Sequence, residues 1–177
     1  MTKIYDPKAV RETRAAYKFK SGAVYRGEWK GGFRDGKGEQ VWPDGARYLG
    51  EWKDNKAHGQ GTFWHTDGDV YEGQWRNDKA NGYGKYVHKN GAYYEGCWKD
   101  DLQHGKGKET WADGSKYEGE YWLGKKQGFG KYEWADGSKY EGMWANNEIS
   151  GEVNYSKNIG GVFMVRWKKI YRNVEKQ

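Results

Sequence analysis

The chain has one cysteine, two prolines and no apolar run of the length a membrane span requires among its 177 residues. A lone Cys97 excludes an intramolecular disulfide and fits a reducing compartment. Without about 20 consecutive apolar residues there is no transmembrane helix, and no secretory h-region is present, so a soluble cytoplasmic chain is expected. What is abundant is glycine, with 28 residues, and aromatics, at 18% of the chain. That composition does not suit an ordinary packed globule; it suits a thin fold with much surface.

The aromatics and glycines recur in register. Tyrosine stands at Tyr25, Tyr48, Tyr71, Tyr94, Tyr117 and Tyr140, a step of 23 residues. Glycine follows two positions later each time, and a further two positions on come Trp29, Trp52, Trp75, Trp98, Tyr121 and Trp144. In the fifth copy the tryptophan is displaced by one, to Trp122. Gly-x-Gly begins eleven residues after each of the first five tyrosines, from Gly36-Lys37-Gly38 to Gly128-Phe129-Gly130. The copies are separated by Ser21-Gly22, Asp44-Gly45, Asp67-Gly68, Asn90-Gly91, Asp113-Gly114 and Asp136-Gly137. A fixed period in this range signals a repeat architecture. Asp-Gly and Asn-Gly accept positive φ, so each pair is expected to close a type I′ hairpin.

Side chains alternate across a strand, which places Tyr71, Gly73 and Trp75 on one face and Glu72 and Gln74 on the other. In the second strand Gly82, Gly84, Tyr86 and His88 are expected to share the aromatic face, with Phe63, Tyr132, Tyr155, Trp42, Trp111 and Trp134 in the equivalent slots elsewhere. Glycine weakens a strand unless something lies against the bare backbone. Tryptophan and tyrosine rings of neighbouring strands are expected to cover these glycines.

This pattern, Y-E-G-x-W followed by Gly-x-Gly and Asp-Gly at a period of 23, resembles the MORN repeat (membrane occupation and recognition nexus) over residues 17–167. The resemblance implies an all-β fold, an elongated, twisted, single-layer antiparallel sheet of hairpins. It also implies a scaffold or adaptor role, with many family members in cilia, flagella and the cytoskeleton. Residues 1–16 form a cap in this reading, with a short helix allowed from Asp6 and Pro7 through Ala16. A degenerate seventh strand is expected at Phe163, Val165 and Trp167, followed by a basic tail over 168–177.

Little in the sequence points to chemistry. The Gly-x-Gly pairs lack a following helix and a Lys-Ser/Thr, so they are strand glycines and not a phosphate cradle. His58 and His104 fall two copies apart, and His65 and His88 one copy apart, too far to converge on zinc. No calcium loop is completed around Asp67-Gly68-Asp69, and no serine, histidine and acid are placed together. No catalytic, cofactor or metal residues are assigned, and an enzyme is not expected.

Charge is concentrated at the ends. Residues 1–20 hold six Lys/Arg against two acids, a net of +4; residues 157–177 hold six against one, a net of +5; the middle carries −3. The repeats therefore lack the single-sign stripe of a nucleic-acid surface. The candidate partner surface is the aromatic trough formed by Tyr25, Trp29, Trp42, Tyr48, Trp52, Tyr71, Trp75, Tyr94, Trp98, Trp111, Tyr117, Trp134, Tyr140 and Trp144. Basic docking ends are Lys8, Arg11 and Arg14, and Arg166, Lys168, Lys169 and Arg172. Protein partners in a larger ciliary or cytoskeletal assembly lead this reading. The alternative is an anionic-phospholipid tether acting through the two ends as a peripheral membrane contact.

Overall fold

The computed structural model describes residues 8–159 and 162–167, with side-chain surroundings given for residues 8–150. Two compact units divide it, Met1–Lys89 and Asn90–Gln177. No helix occurs among the described residues.

The first unit contains β1 (Arg11–Lys18), β2 (Val24–Lys30), β3 (Phe33–Val41), β4 (Arg47–Lys53), β5 (Lys56–Trp64), β6 (Val70–Arg76) and β7 (Lys79–Val87). The second contains β8 (Tyr93–Lys99), β9 (Leu102–Thr110), β10 (Lys116–Trp122), β11 (Lys125–Glu133), β12 (Lys139–Ala145), β13 (Glu148–Ile159) and β14 (Val162–Trp167). Within each unit every strand pairs antiparallel with the next one in the chain. The seventh first-strand read at Phe163, Val165 and Trp167 is present as β14. The tail with Lys168, Lys169 and Arg172 lies outside the described residues, as do Asp6 and Pro7.

At the amino end the structure corrects the sequence reading. Residues 11–18 form a strand, not the last turns of a short helix. Pairing satisfies the open backbone groups of β2, and Arg11 donates to the buried carboxylate of Asp35 at 2.6 Å. These tertiary terms outweigh the helix propensity of Arg-Glu-Thr-Arg-Ala-Ala.

The turns also differ from expectation. At Asp44-Gly45 only the glycine has positive φ, and Gly45 N–H donates to Trp42 O at 3.0 Å while Trp42 N–H donates to Ala46 O at 2.9 Å. This is a type I turn closed by a left-handed glycine, a three-residue hairpin loop and not type I′. Asp44 Oδ1 accepts from Ala46 N–H at 3.0 Å, and Asp113 and Asp136 do the same to Ser115 and Ser138 at 2.8 Å each. The aspartate is chosen for that side-chain bond.

The type I′ turns lie at the opposite edge, at Gly31-Gly32, Asp54-Asn55, Asn77-Asp78, Asp100-Asp101, Leu123-Gly124 and Asn146-Asn147, where both residues have positive φ. Their second residue also ties one hairpin to the one before. Asn55 N–H donates to Arg34 O at 3.0 Å and its Oδ1 accepts from Arg34 N–H at 2.8 Å. Asp78 does the same with Ala57, and Asn147 with Lys126.

Glycines face one another across the strands. Gly27, Gly38, Gly50, Gly61, Gly73 and Gly84 form one row, and Gly96, Gly107, Gly119, Gly130 and Gly142 another. A tyrosine ring lies over each hairpin's pair. A Cβ on Gly27 would meet Tyr25 Oη at 2.7 Å, and one on Gly50 would meet Tyr48 Oη at 2.6 Å. The tyrosine covers the glycine of the neighbouring strand, as expected, Tyr25 lying over Gly38 and Tyr48 over Gly61, and it covers the glycine of its own strand as well.

The first glycine of each Gly-x-Gly does something else. Gly36, Gly59 and Gly82 have φ of 106, 64 and 102°, sit where the ladder bulges, and lie beneath the outward side chains of Glu28, Glu51 and Gln74. They do not share the aromatic face with the second glycine. Gln74 Oε1 accepts from Tyr83 N–H at 2.7 Å and Glu51 Oε1 from Gln60 N–H at 3.2 Å, so these outward groups satisfy amides that the bulge leaves unpaired.

Candidate interaction surface

The inner face is an interlocked row of rings. Tyr25, Tyr48, Tyr94 and Tyr117 each stand edge-on between the large ring of their own hairpin and that of the next. Tyr25 lies 5.1 Å from Trp29 and 5.4 Å from Trp52, and Tyr48 lies 5.0 Å from Trp52 and 5.3 Å from Trp75, with interplanar angles of 84–88°. In the second unit Tyr94 meets Trp98 and Tyr121, and Tyr117 meets Tyr121 and Trp144, at 5.0–5.3 Å. Perpendicular packing sets the positive ring edge against the negative face and adds to simple burial.

The polar ends of these rings are bonded to backbone. The hydroxyls of Tyr25, Tyr48 and Tyr71 each donate to the carbonyl three residues on at 3.0 Å, and those of Tyr94, Tyr117 and Tyr140 do so at 2.8–3.1 Å. The indole N–H of Trp52, Trp75 and Trp144 donates to Gly38 O, Gly61 O and Gly130 O at 3.1, 3.0 and 3.3 Å. Trp29 has no such acceptor: its buried Nε1 is without a hydrogen-bond partner, at the place where the pairing of β1 with β2 is irregular between Arg14 and Tyr17. Burial holds the Tyr25 hydroxyl up at about 12, and it pushes that of Tyr48 up still further.

The trough residues divide by burial. Tyr25, Trp29, Tyr48, Trp52, Tyr71, Tyr94, Tyr117, Tyr140 and Trp144 are buried and serve as the core. Trp42, Trp75, Trp98, Trp111 and Trp134 are half-buried and keep ring surface available. The trough residues named from the sequence omit His65, and also Phe63, Tyr86 and His88, which strand alternation places on the aromatic face. Trp42 lies 5.6 Å from Phe63, which meets His65 at 4.6 Å; His65 meets Tyr86 at 5.7 Å, and Tyr86 meets His88 at 4.8 Å. Asp69 anchors the end of this strip, accepting from Tyr86 Oη at 2.9 Å and Lys89 N–H at 2.9 Å, with His88 Nδ1 at 2.8 Å. The Lys89 amide first, then Tyr86 and His88, hold the Asp69 carboxyl below its ordinary value.

Each unit also carries a cation under its rings. Arg34 lies 4.1 Å from the Trp52 centroid and donates to Asn55 O and to Gln40 Oε1. Lys126 lies 4.7 Å from the Trp111 centroid and 5.1 Å from that of Tyr117, and pairs with Glu109 at 3.1 Å. Tyr121 Oη donates to the same carboxylate at 3.0 Å. Burial and then Glu109 raise the Tyr121 hydroxyl well above the phenol range. Gln40 and Glu109 thus occupy the slot held by Phe63, Tyr86 and Tyr132 elsewhere, each balanced by a cation. A cleft of about 470 Å³ beside β1 is lined by Arg14, Tyr17, Phe19, Trp29, Arg34 and Asn55.

Of the basic ends, Arg11 is paired with Asp35 and Arg14 with Glu12, and Arg14 also lies 5.5 Å from the Trp29 centroid. Lys8 has an interaction of its own. Arg166 is on β14, beyond the residues whose side chains are described. No cluster of His, Cys, Asp and Glu able to hold a metal occurs among the described residues. No helix among them is long and apolar enough to cross a membrane.

The MORN repeat model matches six consecutive stretches: 25–47, 48–70, 71–93, 94–116, 117–139 and 140–152. The chain is a MORN-repeat protein. Each matched stretch opens on one of the six buried tyrosines, so in this MORN-repeat chain the repeat boundary coincides with the ring that covers the glycine pair. Comparison with curated proteins finds no match. Among solved structures, the MORN-repeat chain is similar to the TCP domain of Drosophila melanogaster SAS-4, in complex with a proline-rich motif of Ana2. Identity is 11%, over 88% of this chain and 90% of that one, with a TM-score of 0.45. A catalytically inactive virginiamycin B lyase from Staphylococcus aureus, bound to quinupristin, matches at 10% identity over 94% and 73%, with a TM-score of 0.17. At these scores neither neighbour bears on function.

Proposed function

We propose that this chain is a non-enzymatic scaffold that holds protein partners within a larger assembly, of ciliary, axonemal or cytoskeletal type. The observation that carries the reading is the division of the inner face. One set of rings is locked by hydrogen bonds and perpendicular packing into a core, and a second set, Trp42, Trp111 and Trp134 with Phe63 and Tyr86, leaves half-buried aromatic surface beside it. A rigid apolar strip with a few fixed polar groups suits a protein surface better than a small substrate. MORN-repeat membership supports the scaffold reading.

The lipid-tether alternative is less favoured, because Arg11 and Arg14 are engaged with carboxylates and are not left for headgroups. Crosslinking mass spectrometry in the source cell, comparing the native chain with Trp111→Glu and Trp42→Glu, tests the scaffold. Partners crosslinked near β5, β7 and β11 and lost in the variants support it; an unchanged crosslink map would sink it. Imaging of the tagged chain away from cilia and cytoskeleton would remove the setting. Sedimentation with anionic vesicles at low salt tests the lipid reading separately.

A further inference from the structure

The fifth repeat breaks three rules of its neighbours at one place. Two residues form the type I′ turn in every copy, and the position just before it is Lys30, Lys53, Arg76, Lys99 or Ala145 elsewhere but Trp122 here, 59% exposed. The first turn residue is glycine, aspartate or asparagine in every other copy but Leu123 here, at φ 46° and 44% exposed. Leucine has no polar group to bond the local backbone, and its Cβ is crowded in the left-handed region. The second turn residue is Gly124, which donates its N–H to Gln103 O at 2.8 Å but has no side chain to complete the tie that Asn55, Asp78 and Asn147 make. Strain at an exposed apolar residue, with no gain in packing, is the mark of a position kept for another purpose.

The apolar residues converge on the outer face of the second unit. Trp122 stacks on His104 with centroids 4.6 Å apart, and Leu123 N–H donates to His104 Nδ1 at 3.4 Å. Leu102, 44% exposed, lies close enough that a Cβ on Gly124 would meet its Cδ2 at 3.7 Å. The cross-strand neighbours are both cations: Lys125 opposite Trp122 and Lys99 opposite Leu102, each exposed. The nearby acids are otherwise engaged. Asp100 and Asp101 build a type I′ turn and have partners, and Glu120 lies over the bare backbone of Gly128.

We infer that Trp122, Leu123, Leu102 and His104, flanked by Lys99 and Lys125, form a second docking site, on the face opposite the aromatic trough, for a peptide segment bearing bulky apolar side chains next to Asp or Glu. The apolar side chains cover the Trp122 ring and the two leucines, and the carboxylates meet the two lysines, which fixes orientation and sets a dependence on salt. This site does not depend on the inner face serving as an interface.

The test is selection of displayed random peptides on the full chain. Binding of the selected peptides is then measured to the wild type, to Trp122→Lys/Leu123→Asn and to Lys99→Glu/Lys125→Glu. The first variant installs residue types that the other repeats carry and relieves the turn, so it is expected to fold; circular dichroism and melting verify both. The expected result is a consensus of apolar and acidic residues, with affinity falling at least about tenfold in the first variant. Affinity should also fall in the second, and with rising salt. No selectable peptide, a consensus without acids, or affinity unchanged in both variants overturns the proposal. So does self-association of the wild type, seen by sedimentation and abolished in the first variant, because the occupant is then a second copy of the chain. Substitutions at Trp42 and Trp111 leave this binding intact, which separates its failure from that of the scaffold reading.

Discussion

The ring of Tyr25 occupies the space that a side chain on Gly38 would need, with its hydroxyl reaching past the glycine to donate to Glu28 O at 3.0 Å. The tyrosine and the glycine are therefore one device, and the repeat preserves both.

Replacing Gly38 by alanine should lower unfolding stability by about 2–3 kcal/mol, since the ring or the strand must move. Gly45→Ala, where nothing lies within 4 Å and only φ of 94° is unfavourable, should cost about 1 kcal/mol. Urea denaturation of both variants measures the difference, and equal losses would show that the covered backbone is not what selects Gly38.

Tyr48→Phe removes one buried hydroxyl's bond to Glu51 O and should cost about 1 kcal/mol. Trp144→Ala removes a ring that is 1% exposed and should cost about 3–5 kcal/mol. Trp75, only half-buried, should fall between them when truncated in the same way.

Those magnitudes rest on what the sequence makes legible. The 23-residue register of Tyr25 to Tyr140 marks the buried tyrosines, the facing glycines and even β14. The type I′ turns were not legible, because their residues vary from Gly31-Gly32 through Asp54-Asn55 to Leu123-Gly124 and no one dipeptide recurs at the 23-residue step. The Asp-Gly pairs carry the stronger signature for that turn yet build the three-residue loop. Gly36, Gly59 and Gly82 were placed on the wrong face because a bulge adds residues to one strand and shifts the simple alternation. Strand β1 was hidden by a helix-tolerant composition, and only pairing with β2 decides it.

Acid should reveal Asp69. Its folded value is depressed, chiefly by the Lys89 amide, so its contribution is complete above the unfolded carboxylate value, about 4, and is lost as pH falls through the folded one. The stability gap between wild type and Asp69→Asn should be constant above pH ~5 and shrink below pH ~4. A gap independent of pH down to about 2 would mean the carboxylate form is not preferred by the fold.

Glu109 and Lys126 should couple. Either Lys126→Met or Glu109→Gln alone removes half of a pair whose side chains are 12% and 23% exposed, and each should destabilise the second unit. Glu109→Phe with Lys126→Ala matches the Phe63 and Ala80 of an earlier part of the array and should recover most of the loss. Melting temperatures of the three variants measure this, and a double variant no better than Lys126→Met would refute the pairing.

The ties from Asn55 to Arg34, from Asp78 to Ala57 and from Asn147 to Lys126 make each corner of one hairpin also a fastening of its predecessor. Such a chain can gain or lose length only in whole modules. Excising 48–70 or duplicating it leaves every such fastening with a counterpart, whereas cutting half as much strands an amide at one corner and a carbonyl at another. Growth by tandem copying is thus the change this architecture absorbs most easily, and the distance between whatever it grips at two places is set by an integer.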